Sequence, residues 1–228
     1  MISSWHAPLP GGGTSEELLV SCDRARARRV LILPAWFDEA NKLRRFTLDV
    51  MRRLDTGGVD SFLPDLPGCN ESLVPLDRQT LAGWRAAAAG AAEAVAATEV
   101  LAIRAGALLA PSGLQGWLYA PLSGPKLLRG LLRARTLAAR EAGLAETSDS
   151  LMAEGRTSGL MLGGWMIGAD LLCALESAEL ATADAAREIT TGELGGPGLW
   201  LRAEPGEDAG QAERLAAIIA AGAAGGAA

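Results

Sequence analysis

Glu99-Val100-Leu101-Ala102-Ile103-Arg104-Ala105-Gly106 is the stretch whose reading decides the fold. Residues 99–103 read as a strand, and residues 106–110 as the start of a helix. The turn between them is flanked by small residues, as a strained turn with close strand–helix approach requires. Working outward, Val30-Leu31-Ile32-Leu33 is apolar on both faces, as a buried parallel strand must be, and Pro34 ends it. Helical spacing of Leu43, Phe46, Val50, Met51 and Leu54 predicts a helix over 41–54, stopped by Gly57-Gly58. A strand over 59–63, an Ala-rich helix over 78–97 and a strand over 114–120 complete an alternation of strands and helices. Such alternation implies a parallel sheet with right-handed crossovers. Ligands bind at the carboxyl ends of its strands, which here are 34–39, 64–72, 104–106 and 121–124.

The flanks are less regular. Two extended segments, 2–6 and 18–22, are split by Gly11-Gly12-Gly13 and predict an antiparallel hairpin. After residue 124 the alternation lapses. A basic amphipathic helix is expected over 125–142, a polar stretch over 148–156 and an apolar helix over 160–175. Residues 124–191 therefore read as a helical cap inserted into a single domain spanning 1–228. A fifth strand over 199–203 and a last helix over 208–221 follow. The tail from Leu215 to Ala228 reads as a helix that frays.

Composition bounds the function. Of 228 residues, 49% are apolar and 21% charged, enough for a packed core. The net charge of -6 repels phosphate backbones and argues against a nucleic-acid partner. Basic clusters at 24–29 and 126–140 fit a solvated loop and helix face, with an anion site as the alternative. Cys22, Cys69 and Cys173 are odd in number and form no CxxC pair. That excludes zinc spacing, makes a disulfide framework unexpected and fits a reducing, cytoplasmic setting. The N-terminus has no signal-peptide pattern, and the longest apolar run, 159–169, is too short to span a bilayer. No cofactor motif is present.

The turn at residues 102–106 resembles the G-x-S-x-G nucleophile elbow of α/β-hydrolases. Ala102 stands for the first glycine, Gly106 keeps the last, and Arg104 occupies the serine position. A guanidinium cannot be deprotonated near neutral pH, so it is no nucleophile. The single histidine is His6, ahead of the hairpin, so no Ser-His-Asp triad can be assembled. Arg104 can instead hold an anion, or pair with an internal acid. Asp65-Leu66-Pro67-Gly68-Cys69-Asn70-Glu71-Ser72 resembles the D-x-x-G-x-G-x-S loop of the same fold, with Asn70 at the second glycine. The loop reads as structural, and Cys69 as an inert thiol or a nucleophile lacking a base. Between Pro34 and Arg45 the chain is dense in polar groups. In the hydrolase fold this loop supplies an oxyanion-hole amide, here near Trp36 or Phe37. Glu39, Asn41, Lys42 and Arg45 can form a network or bind a polar ligand. The acids Glu204, Glu207 and Asp208 read as a solvated turn.

Three segments together resemble the exosortase A system-associated hydrolases, type 2 branch: PAWFDEANKLRRF at 34–46, DLPGCNES at 65–72, and AIRAGALLA at 102–110 with APLSGPKLLRGLLRAR at 120–135. LMLGGWMIGADLLCAL at 160–175 resembles that family's cap helix. The resemblance implies a cytoplasmic α/β-hydrolase-like protein, with a mostly parallel sheet flanked by helices, associated with bacterial exopolysaccharide and protein-sorting systems. The fold usually adds a further strand and the triad histidine beyond the point this sequence reaches, so a shortened C-terminal end is expected. Three functional readings stay open. One is a catalytically silent binding or accessory factor whose Arg104 and 34–45 loop hold an anionic small molecule or a protein partner's acidic group. Another is a hydrolase or acyltransferase using Cys69, or a water activated by Glu39 or Asp65. The last is a structural subunit whose helix over 160–175 buries its apolar face in a partner, with a homo-oligomer among the expected assemblies.

Overall fold

The computed structural model describes residues 1–180 and 186–222. Strand β1 (Ile2–Pro8) pairs antiparallel with β2 (Thr14–Cys22). The parallel part follows: β3 (Arg29–Leu33), β4 (Asp60–Pro64), β5 (Glu99–Ile103) and β6 (Gln115–Tyr119). Short strands β7 (Leu160–Leu162) and β8 (Trp165–Ile167) form a separate hairpin, and β9 (Ala186–Ile189) closes the main sheet beside β6. The seven-stranded order is β1-β2-β4-β3-β5-β6-β9, parallel from β4 onward.

Alternation along the buried strands divides the core. Leu31, Leu33, Val100 and Ala102 face one side; Val30, Ile32, Leu101 and Ile103 face the other. The second side is covered by α1 (Asp38–Thr56) and α7 (Ala209–Ala221). Helix α1 buries Leu43, Phe46, Thr47, Val50, Met51 and Leu54, a single stripe at helical spacing, and places Asp38 and Glu39 in its first turn. The first side is covered by α2 (Leu81–Ala94), whose N-cap Thr80 accepts from the Gly83 amide, and by α3 (Gly124–Glu141), α4 (Ser148–Ser158) and α5 (Ala169–Leu175). The short α6 (Thr191–Leu194) follows β9. No described helix is long and apolar enough to cross a membrane.

The structure corrects several sequence expectations. Residues 160–175 are not one helix. Gly163 and Gly164, at φ 59° and 87°, turn the chain into the β7–β8 hairpin, and only α5 remains helical. Gly168 fixes that break, since a Cβ there would lie 2.0 Å from the Asp77 carbonyl oxygen. The predicted strand over 199–203 is a single 3-10 turn, Leu199–Leu201. The last strand is β9 instead, an edge strand with polar Arg187 and Glu188 that carries no apolar run to announce it. Strand β9, paired with β6 in the main sheet, falls inside the span 124–191. Residues 148–158 form a helix started by a Thr147 capping box rather than a polar stretch. The helix expected over 78–97 splits into a 3-10 turn, Leu76–Arg78, and α2. The segment after the elbow is 3-10 throughout, Arg104–Leu109. Beyond residue 222 the predicted tail lies outside the described residues.

The basic cluster at 24–29 is paired rather than solvated. Arg26 and Arg29 bridge the fully buried Asp60, and Arg28 donates to Glu99 and to the carbonyls of Ile219 and Ala220. The guanidiniums of Arg24 and Arg26 hold the Asp55 carboxyl well below the usual range, and Arg29 with the Ala25 amide lowers Asp23 to about 2.

Candidate functional site

Parallel register brings three strand ends together. Leu33 lies opposite Ala102, and Ile103 opposite Tyr119. The residues that follow, Pro34, Arg104 and Ala120, therefore leave the sheet side by side. Each of the three loops holds a non-glycine residue in the left-handed region: Phe37 at φ 56°, Arg104 at 55° and Ala120 at 45°. Each such residue costs an L-amino acid about 1–2 kcal/mol, and such strain clusters at functional sites. Gly106 allows the tight turn, because a Cβ there would sit 2.5 Å from the carbonyl oxygens of both Leu33 and Pro34.

Arg104 is held by three partners. Its Nε and Nη2 donate to the two carboxylate oxygens of Glu39 at 2.9 and 3.0 Å, a bidentate pair. Its Nη1 donates to the Ala120 carbonyl at 2.8 Å. The guanidinium carbon lies 4.1 Å from the ring centre of Trp200. Lys42 bonds Asp38 at 2.7 Å and reaches the Trp200 carbonyl at 3.5 Å, steadying that ring. Tyr119, beneath this arrangement, has its hydroxyl pushed up to about 12 by burial, with the Arg104 charge opposing.

A cavity of about 440 Å³ opens beside this pair, within the range of small-molecule sites. Trp36, Phe37, Glu39 and Arg104 line it, as the sequence singled out. Trp200, Lys126 and the inward face of α3 line it too, and these the sequence reading missed. Trp200 lies in a 3-10 turn where its apolar neighbours suggest a strand, and Lys126 lies near the start of α3, where a basic helix face suggests solvent alone. The available signal was Leu127, Gly130, Leu131 and Ala134, spaced to share one side of a helix that begins at a strand end.

The other singled-out residues fall elsewhere. Asn41 is exposed, and Arg45 is exposed and paired with Glu207. Lys42 serves Asp38 and Trp200 outside the cavity lining. Asp65 is fully buried; one oxygen accepts from Arg44 Nη1 at 3.1 Å and Asn70 Nδ2 at 2.7 Å. Asn70 sits at φ 50°, the left-handed angle expected where the loop pattern has glycine. Ser72 accepts from the Gly68 amide and donates to Glu17 on β2, whereas the second Asp65 oxygen is buried without a partner among the described residues. Cys69 borders a separate void of about 20 Å³. Part of the residue is accessible, yet its sulfur is crowded, and burial together with the charges of Asp65 and Glu17 pushes the thiol up to about 12. That is opposite to what an activated thiolate needs. His6 is exposed on edge strand β1, four strands from β5 in the sheet. Asp208 caps α7 through the Gln211 amide instead of lying in a solvated turn. Among the described residues no three His, Cys, Asp or Glu side chains converge to hold a metal.

Solved structures carry the same architecture. A provisionally named hydrolase from Agrobacterium vitis S4 is 15% identical over 97% of this chain and 98% of its own, with a TM-score of 0.51. Alpha/beta hydrolase domain-containing protein 10 from mouse is 13% identical over 82% of this chain and 77% of its own, at 0.54. The fold is that of the α/β-hydrolases. Est1E from Butyrivibrio proteoclasticus, solved with ferulic acid bound, is 12% identical over 82% of this chain and 88% of its own, at 0.52. At these identities the likeness is one of fold. No family model and no curated protein matches the sequence.

Proposed function

We propose that this α/β-hydrolase-fold protein is a catalytically silent binding or accessory factor, with the 440 Å³ cavity as its ligand site. One observation carries the reading: the elbow position holds a guanidinium locked by Glu39, Ala120 and Trp200, where a nucleophile would stand. No serine, cysteine or histidine lines the cavity among the described residues. Arg104 is then a fixed wall that keeps the strained elbow in place, and the elements between β6 and β9 form a cap over the site. The sequence segments at 34–46, 65–72 and 102–135 support an association with bacterial exopolysaccharide and exosortase systems. The free cysteines support a reducing, cytoplasmic setting.

The test is turnover of p-nitrophenyl acetate and butyrate by the purified chain. The expected result is hydrolysis no faster than buffer. Turnover abolished by Cys69→Ala or Glu39→Gln would establish the hydrolase alternative and overturn the silent reading.

A further inference from the structure

We infer that the cavity takes a monocarboxylate with an apolar body, and that Gly130 keeps the space for that body open. The inference rests on the binding role proposed above. Charge counting sets the head group. Two cations and two acids line the cavity: Arg104, Lys126, Asp38 and Glu39. Arg104 is matched by Glu39, and Asp38 by Lys42. Lys126 is exposed and has no ion-pair partner among the described residues; with Lys42 counted from outside the lining, one positive charge is in excess. A single negative charge answers it, and a dianion would face the Glu39 carboxylate with nothing to offset its second charge. Arg104 has donors to spare, since a guanidinium carries five N–H groups and three are engaged here.

The remaining wall sets the body. Leu127, Leu131 and Ala134 face the cavity from α3, and Trp36, Phe37 and Trp200 from the other side. Trp36 is almost fully buried, and its indole N–H has no partner among the described residues. Gly130 is the independent sign. It lies inside α3, where glycine is unfavourable, with no left-handed angle to excuse it. A Cβ there would meet nothing within 4 Å, so no packing neighbour demands the glycine. Gly130 is exposed on α3 and borders the cavity, so a larger side chain there would project into the open space beside it.

The experiment is calorimetric titration of the full chain with sodium octanoate, 1-octanol, octyl phosphate and butyrate, repeated on Gly130→Leu and Lys126→Gln. Octanoate should bind one per chain. Octanol and butyrate should bind about tenfold or more weakly, the alcohol lacking the charge and butyrate the apolar contact. Gly130→Leu should weaken octanoate about tenfold without lowering the unfolding temperature. Lys126→Gln should weaken it several-fold. Octanol binding as tightly as octanoate, or octyl phosphate binding more tightly, overturns the monocarboxylate class while leaving a binding role intact. Undiminished affinity in a folded Gly130→Leu variant places the ligand elsewhere and overturns the inference. If none of the four probes binds, the inference and the binding role fall together.

Discussion

The Arg104–Glu39 pair makes a quantitative claim. Removing one partner of a fully buried ion pair costs about 3–5 kcal/mol, because the other charge is stranded. Here the side chains keep 13% and 21% of their exposure, so solvent recovers part of that cost. Arg104→Ala should therefore destabilise by about 2–3 kcal/mol, including about 1 kcal/mol for the Ala120 carbonyl that loses its donor. For a chain of this size that is a fall of roughly 4–12 °C in Tm. Glu39→Gln keeps the shape and one acceptor and should cost about 1–2 kcal/mol. Measured in urea with tryptophan fluorescence, the double-mutant cycle should return a coupling of about 1.5 kcal/mol. Backbone strain supplies an internal control. Arg104 sits at φ 55°, so Arg104→Gly should be about 1 kcal/mol less destabilising than Arg104→Ala. A coupling below about 0.5 kcal/mol would mean an ordinary surface pair. A glycine variant less stable than the alanine variant would refute the left-handed elbow.

Two glycines should respond in opposite directions. Gly106→Ala forces a Cβ against two backbone carbonyls and should cost about 2–3 kcal/mol in urea unfolding; Gly130→Ala, with open space around it, should gain about 0.5–1 kcal/mol. Thr80→Ala removes the α2 cap and should lower stability by about 1 kcal/mol, read from the urea midpoint. The Cys69 thiol, held up to about 12 in the fold against about 9 when free, keeps its proton longer in the native state than in the unfolded chain. Stability is thus full below pH 9 and falls as pH rises from there toward 12, by up to about 1.4 kcal/mol per pH unit. Urea midpoints at pH 8, 9 and 10 should show this decline in the parent and a flatter profile in Cys69→Ala; identical profiles would contradict the buried thiol.

The parallel core was legible in the sequence because its strands are buried on both faces. Val30–Leu33 and Glu99–Ile103 read as continuous apolar runs, and each ends at Pro34 or at the elbow. The stripe on α1 was equally plain. What failed to announce itself was governed by position in the sheet. At the edge, β9 needs no apolar run, so Arg187 and Glu188 hid it. Leu199–Leu201 looked like a strand through local hydrophobicity alone, although only Leu199 is buried. The hairpin at 160–167 was masked by its flanking apolar residues despite Gly163-Gly164. For the site, the three strand-end loops were found because topology dictates where they converge. Trp200 arrives from a segment almost a hundred residues after the elbow, and no local pattern links them. Glu39 was singled out, yet its pairing with Arg104 depends on the crossover geometry between β3 and β5, which spacing does not encode.

Trp200 also imposes an order on synthesis. Glu39, Arg104 and Ala120 are all present just after β6 has been made, but β9 begins 66 residues after Ala120 and the aromatic plate comes 80 residues after it. At about 5–20 residues per second that interval lasts roughly 4–16 s. Until β9 is made, a nascent chain presents β6 as an unpaired edge carrying Trp117 and Tyr119, both buried in the finished protein. An unpaired apolar edge is the kind of surface that recruits chaperones or neighbouring chains. The late delivery of one tryptophan thus makes the growing protein most vulnerable after its charged elbow has formed and before that elbow is covered.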